Sequence, residues 1–263
     1  MTDHAISLSE VTLTLGGSEI YRDVTFDVAA GEFVCLLGPS GCGKSTALRL
    51  IGDLLPVQGG TVQVEGMNPA QGWERTAFVF QSPRLLPWKT TLENAAFGLE
   101  MRHPKIDKAA RLERAQRELY QVGLGNDGHK MPVMLSGGER QRVSIARALA
   151  LDPHIILMDE PFSALDHTTR TRLRQQIVDL WSQTGKTILF VTHDIDEALF
   201  LADRIVVLSN KPTRVEEIVT VTAPRPRDPE MNPELDGLRQ RLIAIFETLE
   251  GNELSDAEDA LAG

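Results

Sequence analysis

The chain has 263 residues, which is enough for one large domain or two small ones with a sizeable core. It carries 27 basic and 37 acidic side chains, and the net charge of −10 argues against a general nucleic-acid binder, which usually presents a basic face. Cys35 lies in a predicted strand and Cys42 in a predicted loop, so they are badly placed for a disulfide and indicate a reducing compartment. We expect no signal peptide, and no apolar run approaches the roughly 18 residues that span a bilayer, so any membrane association should go through a partner.

Alternating apolar and polar residues predict strands at the start of the chain. The alternation runs from Ile6 to Val28, and Gly16 and Gly17 interrupt it as a hairpin turn would. A short, continuously apolar run follows at residues 33–37 and is typical of a buried strand.

Residues 38–46 have the composition of a phosphate-binding loop between that strand and a helix. The glycines let the backbone turn tightly, so that several N–H groups can point at one phosphate chain, and the following helix presents its positive dipole end to the same anion. Lys44 adds a mobile charge for the outer phosphates, and the Ser45 hydroxyl can ligate Mg²⁺.

An ordinary glycine-rich turn is the alternative interpretation of residues 38–46, and the Lys-Ser pair between a strand and a helix argues against it. Cys42 is expected to make the site sensitive to thiol reagents. The predicted nucleotide-binding residues in the loop are Gly38, Pro39, Ser40, Gly41, Cys42, Gly43, Lys44, Ser45 and Thr46.

Two prolines and no usable periodicity mark residues 82–89 as a loop, and this loop carries apolar side chains. Leu85, Leu86 and Trp88 would be a poor soluble surface but a good docking surface for another protein. The alternative is that Trp88 packs inward, as most tryptophans do. From there to residue 150 the pattern is helical.

An α/β pattern returns with a buried apolar run at residues 155–158. The run ends in Asp159 and Glu160, which places both carboxylates at the carboxyl edge of a sheet, where ligands bind in open α/β folds. Asp159 suits Mg²⁺, directly or through water, and Glu160 could orient or deprotonate an attacking water. Two acidic residues after a strand are often only a helix cap, but the phosphate loop upstream favours the functional interpretation. Short apolar strands alternating with helices predict a parallel sheet covered on both faces and split by the helical segment.

A second anion site is predicted where Ser136, Gly137, Gly138 and Glu139 open a helix. Two glycines and a hydroxyl at a helix N-terminus can bind an anion, although Ser136 with Glu139 is also a simple capping box. A chain with two phosphate-binding helix ends either binds two anions or shares one anion between two copies. The spacing alone does not choose between these alternatives.

Taken together, these segments resemble the ATP-binding subunits of ABC transporters, above all at residues 135–142. The resemblance implies a P-loop NTPase (RecA-like) core of the α/β class, with an N-terminal antiparallel β subdomain and an inserted all-helical subdomain. It also implies hydrolysis of ATP with Mg²⁺ in a head-to-tail dimer. In that dimer, residues 136–139 of one copy close over the ATP held by Lys44 of the other copy.

The resemblance assigns further roles to single residues. It implies that Tyr21 stacks on adenine, that Gln81 reaches Mg²⁺ and the attacking water, and that His193 contacts the γ-phosphate. Asp166, in the segment 163–166, corresponds to a contact with the opposite protomer. A half-buried structural tyrosine and an ordinary strand-end histidine are the alternatives. The predicted catalytic residues are therefore Glu160, His193, Gln81 and Lys44, and the predicted Mg²⁺ ligands are Ser45, Gln81 and Asp159.

Within that family, the chain is most similar to the ATPases of nitrate, sulfonate and taurine importers, as residues 85–94 and 225–227 indicate. The resemblance implies that Leu85, Leu86 and Trp88 receive the coupling helix of a membrane subunit. It further implies two transmembrane permease subunits, an extracytoplasmic substrate-binding protein that acts indirectly, a place on the cytoplasmic side of the inner membrane, and a small oxyanion as cargo. A soluble ABC-type ATPase of cofactor assembly, translation or DNA repair and an exporter motor are the alternatives, and both share every nucleotide motif.

We expect three parts in the chain. Residues 1–90 with 150–222 should form the nucleotide-binding core, residues 91–149 the helical subdomain, and residues 223–263 a C-terminal segment. In the last part, residues 223–229 are predicted to be a linker, followed by a short amphipathic helix. The acidic residues from Gly251 onward are predicted to be disordered.

Overall fold

The computed structural model describes residues 4–163, 165–227 and 232–262, with side chains through residue 249. Its internal contacts divide the chain into two compact units. The first unit combines Met1–Gly72 with Thr187–Gly263, and the second unit is Trp73–Lys186. Among the residues so described, no helix is both long enough and apolar enough to cross a membrane.

Strands and helices alternate along much of the chain. The strands are β1 His4–Leu15, β2 Ser18–Ala29, β3 Phe33–Leu37, β4 Gly59–Val64, β5 Thr76–Val79, β6 Ile155–Asp159, β7 Thr187–Thr192, β8 Arg204–Leu208 and β9 Val215–Thr220. The α-helices are α1 Lys44–Ile51, α2 Pro69–Gly72, α3 Thr91–Arg102, α4 Lys108–Gln121, α5 Gly137–Leu149, α6 His167–Thr184, α7 Ile195–Leu201 and α8 Pro233–Ala262. Single turns of 3₁₀-helix lie at Trp73–Arg75 and Pro132–Met134.

An antiparallel sheet in the first unit has the strand order β2-β1-β4. Across β1 and β2, Ile6 lies opposite Val28, and both side chains are fully buried. Gly16 and Gly17 join the two strands with φ angles of 57° and 83°. Two successive positive φ angles match the tight hairpin turn that follows the natural twist of the strands. The predicted alternation and hairpin turn are therefore confirmed.

The first unit also contains strands in the order β7-β3-β8-β9. β3 pairs in parallel with β7 and β8, whereas β9 runs antiparallel to β8. Leu37, the last residue of β3, lies opposite Thr192, the last residue of β7. Because the carboxyl ends of parallel strands meet at one edge of a sheet, the loop that starts at Gly38 and the side chain of His193 leave from the same edge.

In the second unit, β5 and β6 form a parallel pair, and Val79 lies opposite Met158 near their carboxyl ends. Gln81, just past β5, and Asp159, at the end of β6, therefore reach the same edge of this pair. Helices α3, α4 and α5 pack on one another in the same unit, as the helical pattern predicts.

The segment after β9 is anchored in the first unit, whereas we predicted a linker there. Arg225 forms an ion pair with Asp203 at 2.6 Å, and the buried Arg227 donates hydrogen bonds to backbone carbonyls of the same unit. Prolines and basic residues give this segment the composition of a linker. Each guanidinium nevertheless brings five N–H donors. Backbone carbonyls accept several of these donors, and the Asp203 carboxylate accepts one from Arg225.

Helix α8 has 30 residues and includes the acidic segment from Gly251 that we predicted to be disordered. Glu, Leu and Ala are frequent in that segment and are strong helix formers, which a prediction based on charge and hydrophobicity overlooks. Leu235, Leu242 and Leu249 are buried and lie seven residues apart, so they form one stripe along α8. The division into a core, a helical subdomain and a C-terminal segment stays a prediction.

Candidate functional site

The loop at residues 38–46 connects β3 to α1, and glycines shape its backbone. Gly41 and Gly43 have φ angles of 79° and 112°, which L side chains rarely adopt. A Cβ atom on Gly38 would lie 2.8 Å from the carbonyl oxygen of Leu208, and one on Gly43 would lie 2.7 Å from the ring of Tyr21. The loop therefore needs glycine at position 41 for conformation, at position 38 for space and at position 43 for both.

Lys44 begins α1 and directs its charge back over the loop. Its side chain is buried, and Nζ donates to the carbonyl oxygens of Gly38 at 2.7 Å and of Pro39 at 2.8 Å. Ser45 and Thr46 follow in the first turn of α1 and are partly exposed, and Ser40 is exposed at the tip of the loop. A positive charge, a hydroxyl and a helix N-terminus thus lie within one short segment, as phosphate binding requires.

Tyr21 does not fit the predicted role of an adenine platform in this structure. Its side chain has no exposed surface, and its hydroxyl donates to the carbonyl oxygen of Gly43 at 2.5 Å. Burial raises the pKa of this hydroxyl, so it stays protonated as a donor. Tyr21 therefore supports the phosphate loop from beneath and offers no free ring face for stacking.

Cys42 is also buried, which argues against the predicted sensitivity to thiol reagents. Burial raises the pKa of its thiol, and a neutral thiol is a poor nucleophile. The Cys42 carbonyl accepts a hydrogen bond from the buried hydroxyl of Thr213. This residue therefore fixes the loop in place, and reagents have little access to its sulfur.

His193 follows β7 and is exposed at the edge where the phosphate loop begins. Asp194 next to it caps α7, since its carboxylate accepts a hydrogen bond from the Glu197 N–H at 3.0 Å. The Asp194 N–H in turn donates to the Thr192 hydroxyl at 3.0 Å. His193 is thus held between the end of a buried strand and a capped helix.

In the second unit, Gln81 and Glu160 are in direct contact. Gln81 Nε2 lies 3.3 Å from Glu160 Oε2 and 3.3 Å from the Ser163 hydroxyl. Glu160 has a φ angle of 40°, a left-handed conformation that costs about 1 kcal/mol for a residue other than glycine and is often found at functional sites. Asp159, directly before it, is buried. The structure therefore brings the amide of Gln81 and the carboxylate of Glu160 together at this edge, with the Ser163 hydroxyl beside them.

Ser136 and Glu139 form the predicted capping box at the start of α5. The Glu139 N–H donates to the Ser136 hydroxyl at 3.2 Å, and the Ser136 N–H donates to the Glu139 carboxylate at 2.7 Å. These bonds hold the pKa of Glu139 below its ordinary value. Gly137 is exposed, whereas a Cβ atom on Gly138 would lie 2.8 Å from the Thr169 side chain. The start of α5 is therefore an exposed and rigid helix N-terminus.

Asp166 lies exposed at the start of α6, in the segment predicted to contact a second protomer. Its carboxylate accepts a hydrogen bond from the Thr169 N–H at 3.0 Å, and bonds from Thr169 hold its pKa below the ordinary value. Ala164 of the same segment lies outside the described residues. Asp166 is thus a helix cap, and its contact with a protomer stays a prediction.

The predicted docking loop is ordered by a buried asparagine. Asn94 on α3 accepts a hydrogen bond from the Leu86 N–H at 2.7 Å and donates to the carbonyls of Leu86 and Lys89 at 3.1 and 2.9 Å. Trp88 is 69% exposed, so the alternative that it packs inward is wrong. Leu85 and Leu86 are partly buried. The loop presents Trp88 on a fixed backbone.

The second unit also has a groove that sequence reasoning missed, which we call the aromatic groove. It has a volume of about 540 Å³, and its main apolar lining residues are Trp73, Phe78, Phe80, Phe97 and Met101. The guanidinium of Arg84 lies 4.2 Å from the centre of the Phe80 ring, and that of Arg102 lies 4.8 Å from the centre of the Trp73 ring. Arg147 donates to the backbone carbonyls of the docking loop and also lines the groove. The spacing of Phe97 and Met101 on one face of α3 is the signal in the sequence.

The predicted Mg²⁺ ligands fit a hard cation by their chemistry. A hydroxyl from Ser45, an amide oxygen from Gln81 and a carboxylate from Asp159 are oxygen donors, which Mg²⁺ prefers together with phosphate oxygens and water. In the part of the chain that is described, no three His, Cys, Asp or Glu side chains cluster as a metal site of their own. This donor set suits an ion that arrives with a nucleotide.

Sequence comparisons point to one family. The profile of the ABC transporter family matches residues 21–163. The taurine import ATP-binding protein TauB of Escherichia coli (strain K12) is 39% identical over 253 residues, which cover 93% of this chain and 98% of that protein. The uncharacterized ABC transporter ATP-binding protein MJ0412 of Methanocaldococcus jannaschii is 45% identical over 206 residues, which cover 78% of this chain and 76% of that protein.

Solved structures agree with the sequence comparisons. The dimeric ATP-binding cassette MJ0796, in a post-hydrolysis state bound to ADP and Pi, has a TM-score of 0.74 at 34% identity and covers 83% of this chain and 99% of its own. The cbiO1 protein from Clostridium perfringens has a TM-score of 0.76, covers 94% of this chain and 99% of its own, and at 23% identity supports the fold alone. The predicted P-loop NTPase fold, with its antiparallel β subdomain and helical insertion, is therefore confirmed.

Proposed function

We propose an importer motor as the function of this chain, which belongs to the ABC transporter family and is an ATPase. The observation that carries the proposal is the contact of Gln81 with Glu160 at the end of β6, directly after the buried Asp159. An amide and a carboxylate in contact at this edge can orient one water molecule and accept its proton. In this proposal, ATP hydrolysis at that edge drives the movement of a substrate across a membrane.

The proposed catalytic roles belong to residues that lie at or after the ends of buried strands. In the first unit, the loop at residues 38–46 binds the phosphates, Lys44 neutralises charge on the outer ones, and His193 contacts the γ-phosphate. In the second unit, Glu160 orients the attacking water and takes its proton, while Gln81 holds that water in line. Phosphoryl transfer asks for little covalent chemistry, so positioning and electrostatic stabilisation carry most of the rate.

Magnesium would be held by Ser45, Gln81 and Asp159 together with the phosphate oxygens. When bound, it neutralises charge that develops on the transferring phosphoryl group. The hydroxyl, amide and carboxylate oxygens of these residues support the assignment, because Mg²⁺ takes oxygen ligands and keeps several waters.

A second copy of the chain completes the proposed site. The exposed N-terminus of α5 has Ser136 and Gly137 at its start and is preorganised by the capping box, which suits the γ-phosphate of an ATP bound by another copy. Asp166 would contact that copy nearby. The dimeric state of MJ0796 supports this arrangement.

We place the partner in the membrane at the aromatic groove and the neighbouring Trp88. The groove is apolar inside, and Arg84, Arg102 and Arg147 surround it with positive charge. Its occupant should therefore be a helix with apolar side chains and an acidic residue at its edge, supplied by one of two permease subunits. Leu85 and Leu86 then shape the docking loop, and Trp88 makes the contact. This binding would hold the chain at the cytoplasmic side of the membrane.

The cargo is proposed to be a small sulfonate such as taurine, or a related oxyanion such as nitrate. The similarity to the taurine import protein TauB over most of both chains supports this choice. An extracytoplasmic binding protein would select the cargo. A soluble ATPase without a permease shares the same nucleotide motifs but does not account for the exposed Trp88 beside an aromatic groove. An exporter motor would also dock on a membrane subunit, and the similarity to the import protein TauB favours the importer over it.

The substitution Glu160→Gln tests the catalytic proposal. We expect the variant to bind ATP with wild-type affinity, to form a stable dimer with ATP, and to lose at least about 100-fold in kcat, because general-base catalysis contributes roughly 10²–10⁴-fold. ATPase assays and size-exclusion chromatography with ATP measure these effects. The substitution Glu113→Gln, at an exposed site on α4, is the control. A Glu160→Gln variant with near-normal turnover would show that another group accepts the proton.

A further inference from the structure

Helix α7 begins two residues after His193 and has only seven residues. A helix of two turns has little stability of its own, so its position depends on the contacts at its ends and on its buried face. Ala198, Leu199 and Leu201 bury one face in the first unit. What holds the two ends of α7 therefore also determines where His193 lies.

Two arginines of the C-terminal segment hold the carboxyl end of α7. Arg227 is buried and donates to the carbonyl oxygens of Leu199 and Ala202, and Arg225 donates to the carbonyl oxygen of Leu201. The last carbonyls of a helix lack partners within the helix, and guanidinium groups satisfy them well. Arg227 also bonds the carbonyl of Val221 at 2.9 Å, so it ties α7 to the chain that follows β9.

Arg225 also connects this end of α7 to the strand that leads into the phosphate loop. Its guanidinium contacts Asp203 Oδ1 at 2.6 Å, and Asp203 Oδ2 accepts a hydrogen bond from the Phe33 N–H at 3.0 Å. Phe33 is the first residue of β3. The C-terminal segment thus contacts the end of α7 directly and is connected to the start of β3 through Asp203.

A third arginine holds the other end of α7. Arg239 on α8 forms two hydrogen bonds with Asp196, at 2.7 and 3.2 Å, in the first turn of α7. Helix α8 is itself fixed, because Leu235 and Leu242 are buried and Asn210 donates to the Leu249 carbonyl at 2.7 Å. Both ends of α7 are therefore bound by residues that follow β9.

We propose that the C-terminal segment, described here at residues 225–227 and 232–249, positions His193 for ATP hydrolysis by holding both ends of α7. Arg225 and Arg227 fix the carboxyl end, Arg239 fixes the amino end, and all three are positioning residues. The inference rests on the proposed contact of His193 with the γ-phosphate. The segment would then affect the rate of hydrolysis through α7, because a small displacement of a catalytic group can lower the rate by a large factor.

The substitution Arg239→Ala in the full chain tests this inference. Both members of the Arg239–Asp196 pair are partly exposed, so the variant should fold. We expect kcat to fall about three- to tenfold with an unchanged KM for ATP, since a misplaced His193 weakens the transition state and leaves loop binding intact. Arg239→Lys should keep most of the activity. The double variant Asp196→Ala with Arg239→Ala should lose no more than either single variant, because both remove the same contact.

Arg241→Ala is the matched control. Arg241 also lies on α8 and forms an ion pair, but with Glu217 on β9 and away from α7. The inference is overturned if Arg239→Ala keeps wild-type kcat, or if Arg241→Ala lowers kcat equally. His193→Ala separates the two proposals in the same assay. If it abolishes turnover while Arg239→Ala does not change kcat, only the positioning role fails; if it keeps turnover, the assigned role of His193 fails as well.

Discussion

Gly41 and Gly43 adopt related backbone angles in different surroundings. Both have positive φ, but a Cβ atom would meet nothing within 4 Å at Gly41 and would lie 2.7 Å from the Tyr21 ring at Gly43. Alanine at Gly41 costs conformational energy of about 1–2 kcal/mol. Alanine at Gly43 adds a clash with the buried ring of Tyr21.

We therefore expect Gly43→Ala to lose ATP binding. We also expect it to lower the free energy of unfolding by about 1–3 kcal/mol more than Gly41→Ala does, because overpacking a buried site costs about that much. Urea denaturation and titration with a fluorescent ATP analogue measure the two effects. Equal losses of stability in the two variants would contradict this expectation. They would mean that only the backbone conformation requires glycine at these positions and that the Tyr21 ring moves to make room for the Cβ atom.

Single residues differ in how far the sequence predicts their roles. Lys44, Asp159 and Glu160 follow buried apolar strands, and that context was enough to place them at sheet edges. Tyr21 has no such signal, because the alternation of a strand says which residues are apolar but not what packs against a given ring. Its contact with Gly43 depends on a fold of the loop 22 residues later in the chain.

At the scale of helices, the capping box of α3 predicts that the stability of the fold depends on pH. The Thr90 N–H donates to the Glu93 carboxylate at 2.8 Å, and this bond holds the pKa of Glu93 below its ordinary value of 4.5. A carboxyl with a lowered pKa stabilises the fold above its unfolded-state pKa, and the stabilisation disappears as the pH falls through the folded-state pKa. The Glu93 carboxylate therefore stabilises the fold at neutral pH, and this stabilisation is lost in acid.

Glu93→Gln keeps an acceptor for the Thr90 N–H but does not titrate. We expect the free energy of unfolding of the wild type to fall more steeply than that of Glu93→Gln as the pH drops from about 5 to about 3. Chemical denaturation at several pH values measures the difference. Glu113→Gln, at an exposed site in the middle of α4, is the control, and a pH profile of Glu93→Gln identical to that of the wild type would contradict the assignment.

The capped helices and buried strands could be predicted because their signals are local. Ser136 with Glu139 and the apolar run of β6 each lie within a few residues of sequence. The segment at Arg225 and Arg227 could not be predicted, because its partners are carbonyls at the end of α7, more than 20 residues away. A segment rich in proline and arginine has the same composition whether it is a free linker or is bound to the rest of the fold.

At the scale of the whole molecule, the phosphate loop carries only some of the proposed catalytic roles. Gln81, Asp159 and Glu160 carry others, and the exposed N-terminus of α5 is the candidate contact to the ATP of another copy. If that N-terminus acts on the ATP of another copy, hydrolysis requires two chains. The loop then organises an interface, and turnover should rise more than linearly with protein concentration.

The aromatic groove leads to the last prediction, at the surface where the whole molecule would meet its membrane partner. Met101 lines the groove and is 66% exposed, so Met101→Lys should fold normally. A lysine at position 101 would place a charge in the apolar contact with the helix, because a lysine side chain keeps its charge in water. The loss of apolar packing should outweigh any added attraction between a fourth cation and the acidic residue of the helix. We expect the ATPase activity of the isolated chain to be unchanged, and recovery of the chain with the membranes of its native cells to fall about tenfold or more, since loss of one interface anchor costs roughly 2 kcal/mol.

Ile218→Lys provides the matched control for Met101→Lys. Ile218 is an exposed apolar residue of the first unit, on β9, and is not among the residues that line the groove. The lysine at position 218 changes net charge and surface polarity in the same way, so recovery with membranes should stay at the wild-type level. Recovery of the Met101→Lys variant at that same level would mean that the permease does not dock in the aromatic groove. The variant Trp88→Ala would then show whether the docking loop alone binds the permease.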